Sequence, residues 1–179
     1  MKIFIATDIH GSALWAKRVA EKFRQSNADL LILLGDVYNH GPRNPFPDEY
    51  APMLVAETLN AFAGKIVSVK GNCDSDVDGM ISDFPFVNDN VIPLGLRRLY
   101  FTHGHVFNKT CLPPLVKGDV MFYGHFHTSE IVDVNGVTCV NVGSASLPKD
   151  GIRAYCVAED DAVTLYNLET DAVILQRKL

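Results

Sequence analysis

Leu30-Leu31-Ile32-Leu33-Leu34 is an apolar run with no polar face, and it is followed at once by Gly35-Asp36. A strand built from such a run must be covered on both sides, as in a parallel sheet sheathed by helices. Ile3-Phe4-Ile5-Ala6 is a shorter run of the same kind and ends in Thr7-Asp8-Ile9-His10-Gly11; Ile66-Val67-Ser68-Val69 is a third and ends in Gly71-Asn72-Cys73-Asp74. Between the first two, residues 12 to about 25 carry a helical pattern, with Leu14, Val19 and Phe23 on an inner stripe and Lys17, Arg18, Glu21 and Arg24 outside. A second helix is predicted from about Asp48 to Phe62, with Val55, Leu59 and Phe62 inward and Gly64 as its C-cap. Strand, helix and strand in this order are joined by a right-handed crossover. Residues 37–47, rich in Gly, Pro and Asn, read as a loop across the strand ends.

The chain changes character after an irregular stretch over residues 74–90. Strands are predicted around 98–101, 120–123, 130–134, 137–142, 154–158, 163–167 and 173–177, and Asn135-Gly136 is a hairpin turn between the third and fourth of these. The expectation is α/β at the front and mostly antiparallel β behind. At 179 residues and 47% hydrophobic, the chain suits one domain over residues 1–179.

A net charge of −5, with no basic run longer than Arg97-Arg98, recommends no nucleic-acid partner. No apolar run approaches the roughly 18 residues of a membrane span, and the N-terminus carries no leader pattern, so a cytoplasmic protein with no membrane partner is expected. The four cysteines show no Cys-x-x-Cys spacing, in keeping with a reducing compartment; Cys111, Cys139 and Cys156 read as apolar fillers, and Cys73 stands apart.

Histidine placement carries the chemistry. Val120-Met121-Phe122 runs into Tyr123-Gly124-His125-Phe126-His127, so two imidazoles leave one strand end on the same side. His10, His40, His103, His105 and His125 each adjoin a glycine, and no histidine lies in the last fifty residues. Each motif alone has an ordinary explanation: Asp8-Ile9-His10 as a helix cap, Gly35-Asp36 and Gly71-Asn72 as turns. Together, Asp8, His10, Asp36, Asn72, His103, His125 and His127 all follow apolar strands, and ligands of open α/β sheets sit beyond the carboxyl ends of the strands. Seven oxygen and nitrogen ligands exceed one tetrahedral zinc and suit two divalent ions sharing a carboxylate.

The series D-x-H, G-D, G-N-x-D, H and G-H-x-H resembles the calcineurin-like metallophosphoesterase superfamily. Within it, Gly35-Asp36-Val37-Tyr38-Asn39-His40-Gly41-Pro42-Arg43-Asn44, Gly71-Asn72-Cys73-Asp74-Ser75 and Thr102-His103-Gly104-His105 look like the small bacterial YfcE-type phosphodiesterases. The resemblance implies a four-layer α-β-β-α sandwich of two mixed sheets flanked by helices. It implies one metal on Asp8, His10, Asp36 and His127 and a second on Asp36, Asn72, His103 and His125, with Asp36 as the bridge. Manganese is the first expectation for both, ahead of zinc, nickel or iron.

The implied activity is hydrolysis of a small phosphodiester by a metal-bridging hydroxide, the pKa of the water being lowered from 15.7 to about 7. Asp36, Asn72 and Cys73 are the expected catalytic residues; Asn39, Arg43 and His105 are the expected substrate contacts. His40 and His105 also read as groups that orient ligands, and the backbone at Gly143-Ser144 as an approach to the phosphate. Cys73 stands where many superfamily members have histidine, and a thiol protonates a leaving alkoxide less well than imidazolium. Asn141-Val142-Gly143-Ser144 departs from relatives that often carry proline before the glycine. The alternatives are a phosphomonoesterase on the same site and a non-catalytic metal-binding scaffold of the retromer-subunit type. A homo-oligomer is a further expectation, with residues 83–93 as a contact segment.

Overall fold

The computed structural model describes all 179 residues. Strand β1 (Ile3–Ala6) lies parallel to β2 (Leu30–Leu33), and β2 lies parallel to β3 (Ile66–Val69) and β3 to the short β4 (Phe86–Val87). On the other side of β1 the chain returns antiparallel, through β10 (Ala154–Ala158), β11 (Ala162–Asn167) and β12 (Val173–Lys178). A second sheet has the order β5 (Asn90–Leu94), β6 (Arg97–Phe101), β7 (Val120–Tyr123), β9 (Val137–Val142), β8 (Ser129–Val134). Both sheets are mixed, as the resemblance implies.

Alternation of side chains explains why the strands are apolar on both faces. From β1, Ile3 and Ile5 enter the core between the two sheets, where they meet Leu99, Phe101, Phe122 and Val140. Phe4 and Ala6 enter a second core beneath the helices, with Val19, Phe23, Val55 and Leu59. Helices α1 (Ala13–Ser26) and α2 (Pro52–Asn60) cover the larger sheet. The outer face of the smaller sheet carries no helix. Met121, Tyr123 and Cys139 are covered there by Phe107, Leu112 and Leu115, so the fourth layer is the loop of residues 104–119.

Several local expectations are corrected. Leu14 is 38% exposed and Trp15 is buried in its place, because the buried face joins Trp15, Val19 and Phe23 to Ala16 and Ala20. Helix α2 begins at Pro52, since residues 48–51 are tied back to the start of α1: the Ser12 hydroxyl donates to the Asp48 carbonyl and the Ala51 amide to the Gly11 carbonyl. Gly64 is no C-cap; Ala61 ends the helix, and Gly64 lies in a 3-10 turn leading into β3. The smaller sheet is parallel at its centre, β6 with β7 and β7 with β9. Strands β7 and β9 are buried throughout, as parallel strands are, and the hairpin at Asn135-Gly136 sends β8 to the edge. β5 was not legible because Pro93 interrupts its pattern, yet proline is tolerated on the edge strand it proves to be. Cys139 and Cys156 are buried and Cys111 is exposed, so Cys111 fills no core. No helix is long and apolar enough to cross a membrane.

Candidate metal centre

β1, β2 and β3 run parallel in one sheet, and β6, β7 and β9 in the other. Asp8 and His10 follow β1, Asp36 follows β2, Asn72 follows β3, His103 follows β6, and His125 and His127 follow β7. The turns that aim them are strained. Asp8, His10, Asp36, His125 and His127 have φ of 55°, 52°, 52°, 66° and 59°, five of the nine non-glycine residues in the left-handed region. Such a conformation costs on the order of 1–3 kcal/mol each and persists only where its surroundings impose it.

Those surroundings are specific. The amides of Asp8, His10 and Gly11 donate to the carbonyls of Gly35, Asp36 and Val37, zipping the first two loops together. Asp8 Oδ2 accepts from the Thr7 hydroxyl at 2.7 Å and from the His125 amide at 3.0 Å. The hydroxyls of Ser144 and Ser146 both donate to the Asp8 carbonyl at 2.9 Å. Gly71 and Gly124 give way to carboxylates: a Cβ at Gly71 would collide with Asp36, and one at Gly124 with Thr7 and Asp8.

Each of three imidazoles is fixed by a backbone carbonyl at Nδ1: His10 by Asn39 at 2.8 Å, His103 by Leu34 at 2.7 Å and His127 by Leu147 at 2.7 Å. A carbonyl only accepts, so Nδ1 carries a proton, and in that neutral tautomer Nε2 turns its lone pair inward. Those lone pairs meet one another and carboxylate oxygens. His10 Nε2 lies 3.2 Å from His127 Nε2, and Asp8 Oδ1, buried and without a hydrogen-bond partner, lies 3.1 Å from His127 Nε2 and 3.4 Å from His10 Nε2. Acceptors crowded in this way want a cation between them, so the donor set fits a metal. Asp36 Oδ1 accepts from the Cys73 amide at 2.8 Å, while Oδ2 lies 3.5 Å from His103 Nε2 and 3.8 Å from His10 Nε2, between the two imidazole groups.

Three sets of side chains have ligand atoms close enough to share an ion: Asp8, His10 and His127; Asp8, Asp36 and His103; and His10, Asp36 and Cys73. Asn72 Oδ1 lies 3.0 Å from His103 Nε2 and joins the second of these. The His125 ring stands edge-on to His103 at 5.1 Å and lines the adjoining cavity. Burial opposes the charge on Asp8, yet contacts from His10 and His127 hold its carboxyl well below the usual range. His10 is raised, burial notwithstanding, by Asp8; His125 is pushed down to about 4 by burial and by His103.

Asp74 is a residue whose role sequence reasoning left unassigned. Its buried carboxylate accepts from the amides of Asp36 at 2.7 Å, Gly71 at 2.8 Å and Val37 at 2.9 Å, pinning the second loop to the third. Burial pushes it up to about 6 against those three donors. The only signal was its place in Gly71-Asn72-Cys73-Asp74. Ser144 is likewise a buried support for Asp8, and Gly143 donates its amide to Asn141 Oδ1, so this segment props the first loop rather than approaching the cavity.

Beside the ligands opens a cavity of about 670 Å³, lined among others by Asp36, Asn39, Arg43, Asn72, Cys73 and His125. Arg43 and Asn39 therefore stand where substrate contacts were expected. His105 does not; it lines a separate recess with Lys70, Asp89 and Phe107. His40 packs against Phe46 and Tyr50, with ring centroids 4.3 and 5.4 Å away, so it supports the loop. Phe126 and Lys149 also line the cavity, and the sequence offered no local sign of Lys149. The Cys73 thiol on its wall is pushed up to about 12 by burial and by Asp36.

The model of the calcineurin-like phosphoesterase superfamily domain matches residues 1–162. Phosphodiesterase YfcE of Escherichia coli K12 is 44% identical over 178 residues, covering 98% of this chain and 97% of its own. The solved structure of that E. coli phosphoesterase has a TM-score of 0.95 at 42% identity and covers 99% of this chain and 98% of its own. Vps29 of Entamoeba histolytica, solved in complex with zinc, has a TM-score of 0.62 at 16% identity over 100% and 98% of the two chains, a likeness of fold alone.

Proposed function

The chain belongs to the calcineurin-like phosphoesterase superfamily, and from that premise we propose that it hydrolyses small phosphodiesters at a two-metal centre, with manganese as the first candidate ion. Asp8, His10, Asp36 and His127 would hold one ion, and Asp36, Asn72, His103 and His125 the other. Bound there, the ions supply a water ionised near neutral pH and positive charge for the phosphate oxygens.

The observation that carries this reading is the inward-facing set of His10, His103 and His127 Nε2 with Asp36 Oδ2 and with Asp8 Oδ1, a buried oxygen that has no hydrogen-bond partner. The chain's own residues then divide the work. Thr7, His125, Ser144 and Ser146 hold Asp8 in place by hydrogen bonds, and Asp74 fixes the backbone of Asp36. Asn72 stands at the cavity face, and Arg43 and Asn39 line the wall across which substrate enters. Cys73 also lies on that wall, its amide on Asp36, and a thiol is a weaker hydrogen-bond and proton donor than the imidazolium it replaces. Diesters with good leaving groups are therefore the favoured substrates.

The test is hydrolysis of an aryl phosphodiester by chelator-stripped protein re-supplied separately with manganese, zinc, nickel and magnesium, alongside Asp36→Ala. Activity should return with manganese and fall to background in the variant. A folded, metal-loaded protein with no turnover would refute the reading. A phosphomonoesterase has one observation in its favour, the cations Arg43 and Lys149 on one cavity; a higher kcat/KM on the aryl monoester than on the diester would establish it. The scaffold alternative rests on likeness of fold alone.

A further inference from the structure

Arg43 and Lys149 are 106 residues apart in sequence and line one cavity. The cavity's volume, about 670 Å³, is in the range of pockets that enclose a whole small molecule, larger than a phosphoryl group at the metal ligands needs. Asp36 is the sole carboxylate among the lining residues, and it faces the histidines. Several basic side chains elsewhere on this acidic chain are matched, Lys22 to Asp171, Lys70 to Asp76, Arg98 to Asp119 and Lys109 to Glu130, but none of those lines this cavity. Arg43 and Lys149 take part in no ion pair.

The backbone segments bearing both cations are tied to the metal-ligand loops. The turn bearing Arg43 is closed by the Gly41 amide on Asn39 Oδ1 at 2.8 Å and by Asn44 Nδ2 on the His40 carbonyl at 2.9 Å, and the Asn39 carbonyl receives His10 Nδ1. The Lys149 amide donates to the His127 carbonyl at 2.8 Å. Phe126, 42% exposed, lines the same cavity and with Pro42 is the apolar part of an otherwise polar wall.

We propose that Arg43 and Lys149 form an anion subsite in the cavity beside the metal ligands, and that the substrate is a phosphodiester whose non-leaving side carries a second anionic group, phosphate or carboxylate, with its organic part against Phe126. This rests on the diesterase reading and names the substrate class for it. The reacting phosphodiester is a monoanion and is answered by the metal ligands' end of the site; two further unpaired positive charges answer a further negative one.

The experiment compares two 4-nitrophenyl phosphodiesters with the same leaving group, one with a methyl and one with a carboxymethyl tail, on manganese-reconstituted protein. Each exposed ion pair is worth a factor of about 1.5 to 5, so the charged tail should lower KM about tenfold at low ionic strength. That ratio should shrink as salt shortens the Debye length from about 10 Å at 0.1 M to about 3 Å at 1 M, and should fall below about twofold in the Arg43→Gln/Lys149→Gln double variant. Equal KM values in the unmodified protein, or a ratio that survives in the double variant, would overturn the subsite. So would a double variant that raises KM for 4-nitrophenyl phosphate while keeping the tail ratio, since the cations would then serve the reacting phosphate. If the methyl diester is not turned over with any metal, the diesterase reading fails. Calorimetric binding of the two diesters to chelator-treated protein still reads the subsite, and equal affinities there would overturn it separately.

Discussion

Asp36 gives one oxygen to its own scaffold and the other to the site. Oδ1 is fixed by the Cys73 amide and Oδ2 faces His10 and His103, while Asp74 fixes the backbone beneath. Cys73 thus serves Asp36 through its amide whatever its side chain does, and the side chain can be exchanged without touching that bond. Cys73→His should raise kcat on alkyl diesters at least tenfold more than on aryl ones, because imidazolium donates a proton to a departing alkoxide better than a thiol does; steady-state rates on the two classes check this, and equal gains would assign Cys73 no part in proton transfer. The seven candidate ligand positions could be picked out in the sequence because each follows an apolar strand and a ligand-type side chain there has few other uses. Asp74, Ser144 and Ser146 were not, because their work is hydrogen bonding to backbone groups, which leaves no pattern in residue type.

At the scale of elements, the loop over the smaller sheet depends on one buried acid. Asp119 accepts from the amides of Val116 at 2.9 Å and Arg98 at 3.0 Å and from the Arg98 guanidinium, joining the loop of residues 104–119 to β6. Burial raises its carboxyl, but Arg98 and the two amides hold it below the usual value. A carboxyl lowered by folding stabilises fully above its unfolded pKa of about 3.9, and that stability is lost as pH falls through the folded value. Asp119→Asn should therefore cost about 2 kcal/mol at pH 7 and show a smaller further loss between pH 5 and 3 than the unmodified protein; urea midpoints at each pH measure both. This layer was beyond the sequence because Phe107, Leu112 and Leu115 cover the sheet from irregular backbone, without the periodicity that announces a helix. Strand existence was legible wherever burial on both faces left an unbroken apolar run. Strand direction in the smaller sheet was not: β6 and β7 are parallel across a loop that holds no helix.

For the whole molecule, topology makes one centre from two sheets. Parallel β1, β2 and β3 bring Asp8, His10, Asp36 and Asn72 to one edge, and parallel β6 and β7 bring His103, His125 and His127 to the facing edge, with β9 leading on to Ser144 and Ser146 behind Asp8. Cores above and below the larger sheet stiffen both sets of strand ends, which is how five left-handed turns are kept in place. The most direct measurement is a titration of chelator-stripped protein with manganese, following bound metal per chain and aryl phosphodiester turnover together. Turnover should rise with the second equivalent and level off at two ions per chain. Full turnover at one equivalent, or two bound ions without turnover, would contradict a two-metal phosphodiesterase.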